Sequence, residues 1–261
     1  MGTSGAFRKL RITLLLFILV GVAGDAWLTE IRSTDWDEPL WIAVYPISVD
    51  QSTAVQHYID KLQNADFRPI EEFFARESSR YGVRLDAPMV VRKGPQIREQ
   101  PPSPPAPGSG ALRIMWWSLK MRFWAWRMEA NYDGPPANIR VFALYYDPSL
   151  HPRLEHSLGL KKGLIGVANL FADATMTQEN NVVVAHELLH TLGARDKYHQ
   201  NSNQPIFPDG FAEPGRVPLF PQAQAEIMAG RIPLSASESR TPASLRQSIV
   251  GSKTAAEINW L

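Results

Sequence analysis

The run Leu40–Ile47 (LWIAVYPI) is apolar almost throughout and β-prone, the pattern of a buried strand. Ser52 and Thr53 then open a stretch in which Val55, Tyr58, Ile59 and Leu62 recur at helical spacing. A second helical set, Ile70–Arg80, follows Pro69. Val83–Val91 alternates enough to predict a strand, and Asn138–Tyr146 (NIRVFALYY) predicts another. Gly163–Phe171 (GLIGVANLF) reads as a further strand, and its glycines suit an exposed or irregular edge. The next helix takes Thr175 or Thr177 as its cap, with Gln178 and Glu179 in its first turn. It runs through Val182–Ala185 to Leu192 and stops at Gly193, a residue suited to a left-handed cap. Beyond Tyr198 proline and glycine are frequent, and short helices are expected only near Ser244–Val250 and Ala255–Trp260. Strands alternating with helices, followed by an irregular C-terminal part, predict an α+β fold. No internal repeat is visible.

Three segments stand outside this alternation. Arg8, Lys9 and Arg11 precede the apolar run Ile12–Ala23, and small residues close it. That is the pattern of an export signal, cleaved after Val22-Ala23-Gly24 or retained to Leu28 as a short anchor. Either form leaves the basic end in the cytoplasm and the rest outside: periplasmic, secreted or membrane-anchored through residues 10–28. The segment 93–110 (KGPQIREQPPSPPAPGSG) is rich in Pro, Gly and Ser and is expected as an exposed loop or a boundary. The segment 111–128 then predicts a helix holding four of the eight tryptophans. Arg113, Lys120 and Arg127 form one narrow stripe on it, with apolar residues to both sides. Three readings stay open: a core helix with a snorkelling basic edge, a helix lying at a membrane surface, or an aromatic stacking platform for carbohydrate or peptide.

Composition narrows the chemistry. The 261 residues suffice for a sizeable core, and 27 basic against 26 acidic side chains give a net charge of +1. That balance argues against a global grip on nucleic acid. The chain has no cysteine, so thiol nucleophiles, disulfides and cysteine-ligated metals are excluded, and a metal site must be built from histidine and carboxylate.

Such a site is spelled out at the end of the Gly193 helix: His186-Glu187-Leu188-Leu189-His190-Thr191-Leu192-Gly193-Ala194-Arg195-Asp196. Two histidines four apart project from one helix face, so their rings can meet one zinc ion. Glu187, beside the first histidine, is placed to take a proton from a water on that zinc. A catalytic zinc needs a third protein ligand and an open position. Gly193 lets the chain turn back, which favours Asp196. His199 competes, and Glu213 or Glu226 would serve as a remote carboxylate.

The pattern HExxHxxGxxD, with Met228 farther on in Glu226-Ile227-Met228-Ala229-Gly230, resembles the metzincin clan of zinc metalloproteases. It is closest to its snapalysin-like minority, whose third ligand is aspartate. The resemblance implies a twisted mixed sheet with an active-site helix, then an irregular C-terminal subdomain (197–261) containing a "Met-turn" with Met228 beneath the zinc. It makes 36–261 a zinc metallopeptidase domain, with His186, His190 and Asp196 as ligands, Glu187 as catalytic base and Gly193 and Met228 in support. It also implies that a peptide or protein substrate lies along an exposed edge strand, for which Gly163–Phe171 is the candidate. No tyrosine follows Met228 at the spacing some members use; Tyr198 is the substitute at hand. The rival expectation is an envelope-attached binding or assembly module whose zinc site is structural or inactive.

Overall fold

The structure is a computed structural model that describes residues 11–13, 33–106, 108–129, 134, 136–155, 157–161 and 163–261. Most of the apolar N-terminal run expected as signal or anchor lies outside the described residues. Among the described residues no helix is long and apolar enough to cross a membrane.

The fold is α+β, built on a five-stranded, mostly parallel sheet. Strands β1 (Leu40–Ser48), β2 (Met89–Lys93), β3 (Ile139–Tyr146), β4 (Leu158–Leu160) and β5 (Ile165–Phe171) stand in the order β2-β1-β3-β5-β4. Every pairing is parallel except β4 with β5. Helices α1 (Thr53–Lys61), α2 (Arg68–Arg80) and α4 (Thr177–Leu192) cover one face, and α3 (Ala111–Glu129) covers the other.

This layering explains the apolar run of β1. Side chains alternate across a strand, so Ile42 and Val44 enter the core under α1, α2 and α4, while Ala43, Tyr45 and Ile47 enter the core under α3. A strand covered on both sides has no polar face to show. β3 divides in the same way, with Val141, Ala143 and Tyr145 on one side and Phe142 and Leu144 on the other.

Ser52 caps α1 by accepting a hydrogen bond from the Val55 N–H. The strand expected over Val83–Val91 is confined to Met89–Lys93. Gly82, at φ +76°, and the Val83 N–H bonded to the Ser78 carbonyl instead end α2 in a left-handed cap, with Val83 and Leu85 packed on the core. Neither threonine caps α4. Asp173 caps a preceding 3-10 turn, Ala174–Met176, that feeds directly into the helix.

The strand expected as an edge over Gly163–Phe171 is internal, lying between β3 and β4. Gly163, at φ +104°, belongs to the turn before it, and Gly166 pairs with Gly159 of β4. The true edge is β4. Segment 93–110 is not wholly an exposed loop either: Ile97 is buried against β1, its N–H donating to the Pro46 carbonyl.

The C-terminal part is irregular but not detached. The pairs β6 (Ala225–Glu226) with β9 (Ser248–Ile249) and β7 (Ile232–Pro233) with β8 (Ser239–Arg240) are the only strands that it contributes among the described residues. The expected helix at Ser244–Val250 is a 3-10 turn, Leu245–Gln247, running into β9, and α5 spans Ser252–Glu257 rather than Ala255–Trp260. Ile258 and Trp260 return to the main core, where Trp260 meets Trp36, Phe74 and Tyr81 edge-on or tilted.

Candidate metal centre

The site forms where α4 breaks. Gly193 takes φ +107°, the Gly193 N–H bonds the His190 carbonyl and the Ala194 N–H bonds the Leu189 carbonyl. This is the Schellman arrangement, which reverses the chain within two residues. The reversal returns Asp196 to the histidines. Its Oδ1 lies 3.2 Å from His186 Nε2 and 3.1 Å from His190 Nε2.

Both rings are fixed from behind. His186 Nδ1 lies 2.9 Å from the Ile227 carbonyl oxygen, and His190 Nδ1 lies 2.9 Å from that of Ala194. A carbonyl only accepts, so each Nδ1 carries the proton and donates it. That leaves both Nε2 lone pairs aimed at the Asp196 oxygen. Three electron-rich atoms meeting at one point require a cation between them. In the metal-free chain a proton fills that role. Burial alone would lower His186, but Asp196, Glu187 and the Ile227 carbonyl outweigh it and push it up to about 9. Burial would raise Asp196, yet its bonds to the two imidazoles hold it well below the usual carboxylate range. His186, His190 and Asp196 together can therefore hold a metal ion, and they are the His/carboxylate group that gathers at ligand spacing among the described residues.

Glu187 stands beside this group, 4% exposed, and its Oε2 is buried without a hydrogen-bond partner. Burial raises its pKa, and the two histidines only partly offset that. A buried carboxylate oxygen left without a partner is costly. Tyr198 lines the same cleft and stays a phenol, pushed up to about 12 first by burial and then by the charges of Asp196 and Glu187. The cleft has a volume of about 350 Å³ and extends from the histidines past Asn180 and Val183 to Phe171 and Leu154.

The other ligand candidates are elsewhere. His199 is exposed and outside the group, and Glu213 pairs with Arg216 on the surface. Glu226 is fully buried, but it builds the turn that contains Met228. It accepts from the N–H groups of Met228, Ala229 and Gly251 and from the Thr254 hydroxyl. Gly230, at φ +67°, closes the turn. Met228 itself is a buried core residue whose carbonyl accepts from the Lys197 N–H. The turn thus touches the site twice, through Ile227 behind His186 and through Met228 behind the Asp196 loop. Replacing Glu226 by alanine leaves several buried donors unmet and is expected to cost about 3 kcal/mol or more. For a chain of this size, a thermal melt reads that as a fall of about 6–12 °C. An unchanged melting temperature would show that the turn does not depend on this carboxylate.

Two supporting residues carry no motif. Glu257 of α5 accepts from the Arg195 backbone N–H and the Lys197 ammonium, so it pins the loop bearing Asp196 and engages the Lys197 charge that could have paired with that aspartate. Gly159 of β4 lies directly beneath α4: a Cβ there would stand 2.3 Å from His190 Cβ and 2.7 Å from the Glu187 carbonyl oxygen. Both are rigid parts of the helix, so Gly159→Ala must push helix and edge strand apart. The expected cost is about 1–3 kcal/mol, with weaker metal binding in the same variant. A titration showing wild-type metal affinity would rule out so tight an approach. A glycine in a three-residue strand gives little local signal of this role.

No protein-family profile matches the chain, and no curated protein matches it.

Proposed function

We propose that the chain is an exported zinc-dependent endopeptidase of metzincin type. The observation that carries this reading is the convergence of His186 Nε2, His190 Nε2 and Asp196 Oδ1 at the helix break, with the unpartnered Glu187 carboxylate beside them. Two imidazoles and one carboxylate are a donor set that zinc accepts, and His186, His190 and Asp196 would hold it. When bound, zinc supplies a Lewis acid that polarises a peptide carbonyl and acidifies a water molecule. Glu187 would accept a proton at its carboxylate from the attacking water and return it to the departing amine. Tyr198 donates a hydrogen bond toward the carbonyl oxygen from the cleft wall. Substrate pairs with the outer edge of β4, as an added strand. Met228 serves as the floor of the site, held there by Glu226.

The test is cleavage of casein and of a peptide library by the full chain, with and without chelator. Chelator-sensitive hydrolysis restored by zinc is expected. A chain that binds one zinc and cleaves nothing would overturn the reading in favour of a structural site.

A further inference from the structure

Helix α3 uses only one of its faces inside the molecule. Met121, Trp124 and Ala125 are buried against Tyr45, Phe142 and Ile165 of the sheet. On the opposite side of the cylinder, Leu112, Met115, Trp116, Leu119, Phe123 and Trp126 are exposed, Leu112 by 77%, Trp116 by 60%, and Phe123 and Trp126 each by 63%. At 100° per residue these six fall within an arc of about 100°, centred nearly opposite the buried set. Single exposed apolar residues are ordinary, but a continuous ridge of about four turns marks an interaction surface.

The borders of the ridge are basic. Arg113, Lys120 and Arg127 run along one side and Arg122 lies on the other. Lys120 Nζ sits 5.8 Å from the centre of the Trp116 ring, and Arg127 is ion-paired with Glu99. The one acidic residue of the helix, Glu129, is at its last position and is paired with Arg140.

We propose that this face docks on an anionic lipid bilayer, with α3 lying in the membrane plane, its aromatic ridge at the boundary of headgroups and acyl chains and its basic borders on the phosphates. The charges select this occupant. A second copy paired about a two-fold axis would set basic border on basic border either way: an antiparallel pair brings the Arg113–Lys120–Arg127 border against itself, and a parallel pair brings it against the Arg122 side. The chain's own apolar run Ile12–Ala23 contains no acidic residue and is flanked by Arg8, Lys9 and Arg11, so it too would bring like charge. Anionic headgroups supply the opposite charge, and tryptophan favours their depth. Because α3 and α4 cover opposite faces of the sheet, a chain docked in this way turns its metal centre toward the solution.

The chain has no cysteine, so Phe123→Cys in the full chain provides a unique position for a nitroxide label. Ser79→Cys, exposed on α2 across the sheet, is the control. On phosphatidylcholine vesicles containing phosphatidylglycerol, collisions of the Phe123 label with a water-soluble nickel chelate should fall several-fold and those with oxygen should rise, while the Ser79 label keeps its aqueous values. Arg113→Gln with Lys120→Gln should weaken partition onto these vesicles about fivefold for each charge removed. Four results would overturn the proposal. The Phe123 label could stay aqueous on a bound chain, leaving attachment to the N-terminal run alone. It could be shielded without vesicles, at any concentration, by the chain's own segment. It could be shielded only as chain concentration rises, by a second copy. Partition could also be indifferent to the two charges.

Discussion

Glu187→Gln keeps the metal, loses turnover and makes the metal-free fold more stable. The side chain is nearly isosteric, and Glu187 is not among the three atoms that meet at ligand spacing, so metal content should stay at the wild-type value. Without a carboxylate to accept and return a proton, peptide hydrolysis should fall about 10²–10⁴-fold. The gain in stability follows from burial. The Glu187 carboxyl is raised above its ordinary value, first by desolvation, and its Oε2 has no partner. A raised carboxyl binds more protons in the native than in the unfolded state, so the native state loses stability as pH rises through this range. Glutamine removes that loss, so its advantage in a chemical melt should be present near neutrality and vanish below about pH 4, where both states are protonated. Opposite signs for activity and stability separate a catalytic carboxylate from one that holds the fold together. A variant that is both less stable and fully active would reject the assignment.

The elements that could be read from the chain were those whose signal is local. The unbroken run in β1, the helical spacing of α1 and α2 and the glycine stop after Leu192 each follow from a few consecutive side chains, and each appears within about two residues of its expected place. The two histidines, Glu187 and the return of Asp196 were legible for the same reason, since one helix and one left-handed glycine fix all of them. What was not legible depends on partners far away in the chain. β4 is three residues long and exists because β5 offers it an edge. Glycine content suggested an edge at Gly163–Phe171, but that strand is internal, and it is Gly159 of β4 that must be small because α4 crosses directly above it. Glu226 had the right chemistry for a ligand, and only the fold shows its oxygens already occupied by Met228, Ala229, Gly251 and Thr254. Glu257 lies 61 residues beyond Asp196, and no spacing rule connects the two.

Metal stabilises the fold, and the gain grows as pH rises from 6 toward 9. The argument rests on His186, whose raised pKa of about 9 belongs to the metal-free chain. A group raised in this way contributes stability that is fully present below its unfolded value of about 6.5 and is lost as pH climbs through 9. The metal-free fold therefore weakens over this window, as the proton that neutralises the Asp196 corner is withdrawn. Metal needs the same Nε2 lone pair unprotonated, so below about pH 9 each ion bound must release the proton of His186. Its affinity should rise about tenfold per pH unit until the imidazole is neutral without it. At a free metal concentration a thousand times the Kd the stabilisation is about 4 kcal/mol, or about 8–16 °C in melting temperature for a chain of this size. Calorimetric titrations in buffers of different ionisation enthalpy should count about one proton released near pH 7. His190→Ala leaves two of the three ligand atoms, and the metal-dependent rise in melting temperature should disappear. A rise that persists in that variant, or one that shrinks between pH 6 and 9, would place the ion somewhere other than between these three side chains.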